Sequence, residues 1–155
     1  MLVRFFWMLQ NALPCGRRAS DYFYSWAEDD DDYDQKLSGY NRPTTGYLLC
    51  KSGNVTKVTC GYVKYIDTYV YYEWGRAKVT RINNDNLSSD DFSQGGDSGS
   101  IVYDPYNFLI HGIHSGGEFP SRGGGTYGLY TQIMDAMELY DIVPYTNDTL
   151  IQLPE

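Results

Sequence analysis

The sequence predicts an all-β protein, a six- to seven-stranded antiparallel barrel that ends in a short helix. Tyrosine and glycine are abundant, with 16 residues of each. Aromatic residues favour strands, and glycine favours turns. From Pro43 onward, short apolar runs alternate with turn sequences, which is typical of a small barrel. Residues 132–141 have apolar side chains at helical spacing and predict the closing helix.

The predicted strands follow one another along residues 45–131. Ser52 and Gly53 separate the first two, Gly75 joins a second hairpin, and Asp104-Pro105-Tyr106-Asn107 is a good turn sequence for a third. The strands are expected at residues 45–50, 55–66, 68–74, 77–82, 100–103, 108–114 and 126–131.

Composition and charge exclude several classes of partner. The chain has 155 residues, enough for one domain with a core, and a net charge of -8. Nucleic acids and anionic membranes select basic surfaces, so neither is expected as a partner. No apolar run approaches the length that crosses a bilayer. No group of His and Cys has the spacing of a metal site, and we expect neither a metal nor another cofactor.

Two of the three cysteines are predicted to form a disulfide. Cys50 and Cys60 flank a turn-rich segment, so a hairpin can bring them together; the alternative is two free buried thiols. Cys15 is left over. The disulfide and three acceptor triplets for N-glycans favour a secreted protein. The triplets begin at Asn54, Asn86 and Asn147.

The stretch around Ser98 is the main candidate for chemistry. Ser98 lies between Asp97 and Gly99, and two further glycines precede them. Small neighbours let a carbonyl substrate approach the backbone, and glycine adopts unusual dihedral angles at little steric cost. Bare N–H groups in such a turn can converge on a developing oxyanion. The pattern predicts a nucleophilic serine; the alternative is a plain Gly/Ser turn between two strands.

Hairpin register predicts a second group of residues beside Ser98. With a turn centred on residues 105–106, facing residue numbers sum to about 211, which places His114 opposite Ser98 within about one residue. An extended peptide can add as a strand to an unpaired edge that is almost free of side chains. The residues after His114 offer such an edge: Ser115, Gly116 and Gly117.

The order of these motifs resembles chymotrypsin-like serine proteases, above all the streptogrisin and α-lytic branch. The motif at residues 96–100 is followed by an apolar strand, a turn, the sequence at 112–117, a glycine-rich loop and a closing helix. Residues 50–53 and 59–63 are similar to the hairpin that opens the second barrel of that fold. The resemblance covers roughly residues 43–145 and implies the second barrel of the trypsin-like fold.

The resemblance implies a serine-type endopeptidase that acts on polypeptides. Ser98 would be the nucleophile, the N–H groups of Gly96 and Ser98 the oxyanion hole, and Asp97 a buried carboxylate that holds the loop. Residues 115–117 match the strand that pairs with the substrate backbone. His114 falls on the wall of the primary specificity pocket, where some glutamate-preferring members carry histidine. We therefore expect a preference for an acidic residue before the scissile bond; the alternative is a partly buried strand residue without selectivity.

The chain departs from this family in its histidines. The family's general base is a histidine upstream of the nucleophile, oriented by an aspartate. The two histidines of this sequence, His111 and His114, both follow Ser98. Without a base the serine hydroxyl is a poor nucleophile. Asp21 stands at about the distance expected of the aspartate, with a plain loop carboxylate as the alternative.

We divide the chain into an incomplete N-terminal segment with an acidic loop, residues 1–42, and a trypsin-like barrel domain, residues 43–155. Residues 1–14 are apolar, and both a signal peptide and a misassigned start fit them. Three hypotheses follow: the C-terminal part of a secreted endopeptidase, an inactive pseudoprotease that binds extended peptides, and a structural or carbohydrate-facing β-domain. A second barrel alone exposes an apolar face, and we expect self-association through it.

Overall fold

A computed structural model describes residues 22–23, 35–84, 91–117, 126–144 and 146. Within this part of the chain there are nine strands and one helix. The strands are β1 Tyr22–Phe23, β2 Gln35–Lys36, β3 Gly39–Tyr40, β4 Leu48–Ser52, β5 Val58–Tyr72, β6 Gly75–Asn83, β7 Ile101–Tyr103, β8 Leu109–Gly117 and β9 Tyr127–Gln132, and the helix is α1 Ile133–Tyr140. The predictions for residues 1–14, Cys15, Asp21, Asn86, Asn147 and the acidic loop at 28–34 lie outside the described residues.

Seven of the strands form one sheet that closes into a barrel. Its order is β3-β8-β7-β4-β5-β6-β9, and β8 also pairs with β9, which closes the ring. All pairs in the ring are antiparallel, whereas β3 lies parallel to the start of β8. β1 and β2 form a separate pair. The predicted all-β barrel with a C-terminal helix is confirmed; the parallel strand β3, which precedes residue 43, was not predicted.

β5 is one strand of 15 residues, where the sequence predicts two strands at 55–66 and 68–74. Its register with β6 shifts between Val63 and Tyr65 and again between Tyr65 and Thr68. Asp67 lies at this place with a φ of 55°. A bulge bends a strand and increases its twist without removing it from the sheet. The predicted break is therefore a bulge inside one strand.

The two faces of the sheet bury separate apolar clusters. Because successive strand residues point to opposite faces, Leu49 and Lys51 of β4 face the barrel interior, and Cys50 faces the outer cluster under the helix. The interior cluster is Leu49, Val63, Ile82, Phe92, Val102 and Tyr130. The outer cluster is built on Leu37, Cys50, Tyr103, Ile110 and Ile133.

The predicted disulfide between Cys50 and Cys60 is confirmed. The two residues are direct partners in the β4–β5 ladder, with their Cα atoms 4.0 Å apart. The bond therefore joins neighbouring strands at the outer cluster.

The register of the β7–β8 hairpin differs from the prediction. Ile101 pairs with Ile113, which is three positions beyond the predicted pairing. The reason is a longer turn, which extends to Phe108 at a φ of 56°. As a result Ser100, and not Ser98, faces His114: the His114 N–H donates to the Ser100 carbonyl at 2.8 Å.

Candidate active site

The loop at residues 94–100 is a tight turn that presents Ser98 to solvent. Backbone hydrogen bonds of 3.1 Å from Asp97 to Gln94 and from Ser100 to Asp97 close the turn. Its two glycines with positive φ, Gly96 at 110° and Gly99 at 95°, adopt angles that other residues avoid. Ser98 is exposed while the preceding Asp97 is buried. The predicted glycine-dependent turn is therefore present.

The backbone of this turn leaves two hydrogen-bond donors unused. Across the described ranges, the N–H groups of Gly96 and Ser98 have no hydrogen-bond partner, and neither does the Ser98 hydroxyl. Free N–H groups beside an exposed hydroxyl can stabilise a negatively charged oxygen formed there. The turn can thus support attack by Ser98 on a carbonyl group.

Asp97 holds the turn from inside the barrel, and its side chain is 0% exposed. Oδ1 accepts hydrogen bonds from the N–H groups of Val55 at 2.8 Å and Thr56 at 3.2 Å. Oδ2 accepts from the Thr56 hydroxyl at 2.7 Å, from the Gln94 N–H at 3.0 Å and from Lys51 Nζ at 3.2 Å. The predicted buried carboxylate is confirmed, and its donors come from the end of β4, from the turn between β4 and β5, and from the loop itself.

Lys51 supplies the positive charge that balances Asp97. Its side chain is also 0% exposed. Burial lowers the pKa of Lys51, while the charge and hydrogen bond of Asp97 raise it. Burial alone would raise the pKa of Asp97, but hydrogen bonds from Thr56, Gln94 and Val55 and the charge of Lys51 hold it well below its usual range. Sequence reasoning missed Lys51; the available signal was a lysine at an inward position, two residues after Leu49.

His114 lies inside the barrel and is 2% exposed, so it is buried and not partly exposed. Its ring centroid is 6.2 Å from that of Phe92. Burial and the charge of Lys51 lower the pKa of His114 to about 4, against the opposing effects of Asp97 and the Leu129 backbone. The imidazole is therefore uncharged at neutral pH. Among the described residues its Nδ1 has no hydrogen-bond partner.

The backbone of His114 connects β8 to the Ser98 turn. The Gly99 N–H donates to the His114 carbonyl at 2.8 Å, and the His114 N–H donates to Ser100 at the same distance. These bonds fix the position of the turn relative to the end of β8. The structure thus brings Ser98, His114 and residues 115–117 into one region, although by a different register from the predicted one.

Ser115, Gly116 and Gly117 form the last part of β8. On one edge of β8, Gly116 pairs with Leu129 of β9, and Gly117 continues this ladder. No strand in the described part of the chain pairs with the opposite edge, because the β7 pairing ends at Ile113. A Cβ placed on Gly116 would meet nothing within 4 Å, whereas one on Gly117 would lie 3.0 Å from Ser93 Oγ. Within the described residues, the space above the sheet face at Gly116 is therefore unoccupied.

Neither histidine of the sequence serves Ser98 as a base in this structure. No hydrogen bond joins the Ser98 hydroxyl to His114 or His111. His111 is 1% exposed, and burial lowers its pKa although Asp104 opposes this. Its two ring nitrogens have no hydrogen-bond partner within the residues described.

The described residues contain no group of three or more His, Cys, Asp or Glu side chains that could hold a metal ion. The one helix in this part of the chain is not long and apolar enough to cross a membrane.

This barrel has the trypsin-like fold of bacterial chymotrypsin-like serine proteases. Its structure matches that of Cellulomonas bogoriensis chymotrypsin with a TM-score of 0.67 and 19% identity, over 86% of this chain and 66% of that one. It also matches a glutamic acid specific serine protease that uses a histidine triad in substrate binding, with a TM-score of 0.59 and 28% identity, over 72% of this chain and 55% of that one.

One relative is recognised from sequence, Serine protease 1 of Rarobacter faecitabidus. The two chains are 35% identical over 80 residues, which is 52% of this chain and 14% of that protein. No protein-family model matches the chain. The resemblance to chymotrypsin-like serine proteases is confirmed by the fold, and the chain spans only part of the length of each of these proteins.

Proposed function

We propose that this barrel is the nucleophile-bearing part of a serine endopeptidase that hydrolyses polypeptides. One observation carries the proposal. The exposed Ser98 lies in a turn with two unused N–H groups, held by a buried ion pair and placed beside a strand with a free edge. The 35% identity to a serine protease over 80 residues supports it.

In this proposal the Ser98 Oγ attacks the carbonyl carbon of the scissile peptide bond. The carbonyl oxygen becomes an oxyanion and accepts hydrogen bonds from the N–H groups of Gly96 and Ser98. The serine proton passes to a general base, which then gives it to the leaving amine as the C–N bond breaks. Water afterwards hydrolyses the acyl ester and regenerates Ser98.

The general base is the part of this scheme that the described barrel does not contain. Both histidines are buried and neither contacts the Ser98 hydroxyl. We propose that a histidine outside this sequence takes the role, with Asp21 as the carboxylate that orients it. The barrel would then act together with a further segment that brings this histidine to the Ser98 hydroxyl.

We further propose that the peptide pairs with Ser115, Gly116 and Gly117 and that His114 selects an acidic side chain, whose carboxylate raises the pKa of the imidazole so that the bound form is protonated and donates from Nδ1. A relative with 28% identity is a glutamic acid specific protease that binds substrate with three histidines. This sequence holds two, so His114 would work with a different partner. Ser93 is suitable, because its hydroxyl is buried beside Gly117 and has no partner among the described residues.

A fluorophosphonate probe tests the nucleophile. We expect the folded chain to be labelled at Ser98, slowly because no base is present, and we expect heat denaturation or Ser98→Ala to abolish labelling. Ser100→Ala is the matched control, since that hydroxyl donates to the Asp97 carbonyl and should not be the labelled atom. Labelling that persists in Ser98→Ala would contradict the proposal.

Substrate choice is tested with peptides that differ only in Glu or Gln before the scissile bond. The protein with its missing base restored, by co-expression with a histidine-bearing upstream segment, should cleave the Glu peptide faster. His114→Ala should remove that difference and leave cleavage of the Gln peptide nearly unchanged. Equal cleavage of both peptides would rule out acidic selectivity.

A second candidate function is peptide binding without cleavage. The absence of a hydrogen bond between the Ser98 hydroxyl and either histidine favours it. In that case acidic peptides bind with equal affinity to the wild type and to Ser98→Ala, and no product forms on prolonged incubation. Detectable turnover that disappears in Ser98→Ala would exclude this candidate.

We also propose that the protein acts outside the cell and associates with itself through the exposed barrel face. The Cys50–Cys60 disulfide is consistent with an oxidising compartment. Large apolar side chains such as Tyr47 and Val143 are about half exposed. Sedimentation that gives only a monomer at high protein concentration would contradict self-association.

A further inference from the structure

A cavity of about 330 Å³ lies on the outer face of β5, β6 and β9, and Ser98 is not among the residues that line it. Three of its seven lining residues are tyrosines, and one is a cation, Arg81. The residues that matter here are Tyr65, Tyr69, Arg81, Tyr127 and Leu129. We call this cavity the Arg81 pocket.

Arg81 is held in the pocket by stacking and not by a carboxylate. Its guanidinium carbon lies 3.8 Å from the ring centroid of Tyr127 and 5.8 Å from that of Tyr65. Its Nε donates to Asn83 Oδ1 at 2.8 Å. The ion pairs found among the described residues use other cations, namely Arg42, Lys51 and Lys78. The terminal N–H groups of Arg81 therefore have no protein partner in this part of the chain.

This arrangement suits a carboxylate ligand. The chain has 20 acidic and 12 basic side chains, yet Arg81 has no acidic partner within the described ranges, whereas the exposed Arg42 pairs with Asp135 at 2.9 Å. Stacking on Tyr127 fixes the plane of the guanidinium, so less conformational freedom is lost on binding. The remaining N–H groups match the two oxygens of a carboxylate.

The pocket lies close to the free edge of β8. Leu129 in its wall is the direct ladder partner of Gly116, and Gly116 has no side chain to separate the two. Strands lie about 4.8 Å apart, so a peptide added to β8 would run roughly 10 Å from β9. The guanidinium sits over Tyr127 of β9, on the outer face of the sheet, to which alternate side chains of such a peptide also point.

We infer that the Arg81 pocket is a second recognition site, which binds an acidic side chain of the polypeptide whose backbone lies along Ser115, Gly116 and Gly117. This inference rests on the proposed peptide-binding edge and not on cleavage by Ser98. Acidic side chains of a polypeptide would then be recognised at the outer face of the sheet as well as in the barrel interior.

The first experiment examines the pocket without the peptide edge. The probe is N-acetylglutamate N-methylamide, added to the ¹⁵N-labelled full chain, and the readout is the Nε–Hε signal of Arg81. We expect this signal to shift on titration, while the glutamine analogue of the probe leaves it unchanged. An Arg81 signal that is insensitive to both probes, or equally sensitive to both, would overturn the inference.

The second experiment measures peptide affinity by fluorescence anisotropy in the Ser98→Ala background. Two peptides differ only in Glu or Gln at one position upstream of the bonded segment. We expect Arg81→Gln to weaken binding of the Glu peptide by about tenfold or more and to leave the Gln peptide unaffected. Arg81→Lys should fall between, because it keeps the charge but loses the planar fork.

Arg76→Gln is the matched control. Its guanidinium stacks on Tyr69, a wall residue of the pocket, at 4.7 Å, but Arg76 does not itself line the pocket, so the substitution removes the same charge from the same hairpin and leaves Arg81 in place. Equal effects of Arg76→Gln and Arg81→Gln would show general electrostatic attraction of the acidic peptide and overturn the inference.

If Ser98 resists labelling while Arg81→Gln abolishes Glu preference, the nucleophile proposal fails and this inference stands. If Ser98 is labelled and Glu preference is independent of Arg81, the nucleophile proposal stands and this inference fails.

Discussion

The Ser98 turn and the β5–β6 hairpin belong to the same barrel but are held by opposite kinds of interaction. At the turn, a carboxylate that is 0% exposed accepts bonds from the backbone and from a buried lysine. At the hairpin tip, Trp74 stacks on Tyr72 at 4.8 Å although it is 73% exposed. One region is specified by buried charge, and the other by aromatic contacts at the surface.

The difference bears on how each region can act. A buried charge needs its partner, because water cannot replace it, so the geometry around Asp97 is tightly determined. An exposed stack loses little when it opens, because water solvates its polar edges. The turn is therefore suited to a fixed donor geometry, whereas the hairpin tip can open at little cost.

Breaking the buried pair should have the largest effect. Asp97→Asn keeps the size of the side chain but leaves the Lys51 charge unpaired, and we expect a loss of about 3–5 kcal/mol in the free energy of unfolding. Urea unfolding measures it. The double variant Lys51→Met, Asp97→Asn should recover a large part of the loss, and a loss below about 1 kcal/mol in the single variant would contradict the role given to this pair.

Lowering the pH should reduce the free energy of unfolding through protonation of His114. Its pKa is about 4 in the folded state against 6.5 for the free side chain, so the unfolded chain binds a proton first. The contribution is fully present above about pH 6.5 and is lost as the pH falls towards 4, by about 3 kcal/mol in total.

When unfolding is measured across this pH range, the free energy of unfolding should depend less steeply on pH in His114→Gln than in the wild type. His111 contributes in the same direction, because burial lowers its pKa too, so part of the slope will remain. Asp97, whose pKa is held below its usual range, acts only at still lower pH. An identical slope in the variant and the wild type would contradict the burial of His114.

Two glycines of the β8–β9 ladder, Gly128 and Gly116, differ in the space around them and so compare the barrel interior with the open edge. A Cβ on Gly128 would lie 2.3 Å from the Phe92 ring, whereas a Cβ on Gly116 would meet nothing within 4 Å. We expect Gly128→Ala to cost about 1–3 kcal/mol through overpacking and Gly116→Ala to change stability by less than about 0.5 kcal/mol. Similar thermal unfolding of the two variants would show that the interior adapts more than we infer.

The smallest effect is expected at the hairpin tip. Trp74→Ala removes the stack on Tyr72 and should cost about 0.5–1 kcal/mol. Tyr71→Ala is the control, because that side chain is 78% exposed and takes no part in the stack. A larger loss in Trp74→Ala than in Asp97→Asn would reverse the comparison between the two regions.

Much of the fold and of the candidate site follows from local patterns. The strands, the closing helix, the Cys50–Cys60 hairpin and the glycine-rich turn at Ser98 were predicted because each depends on a few neighbouring residues. Alternation, turn sequences and the tolerance of glycine for positive φ act over short stretches of chain. They can therefore be recognised before any long-range contact is known.

Only the tertiary structure decided the pairings between distant parts of the chain. The length of one turn placed His114 opposite Ser100 instead of Ser98, and the pairing with β6 joined residues 58–72 into a single bulged strand. Lys51 became the partner of Asp97, and Arg81 came to lie between Tyr65 of β5 and Tyr127 of β9. The physical reason is that the energy of a charge depends on what surrounds it after folding, and no property of the residue itself specifies those surroundings.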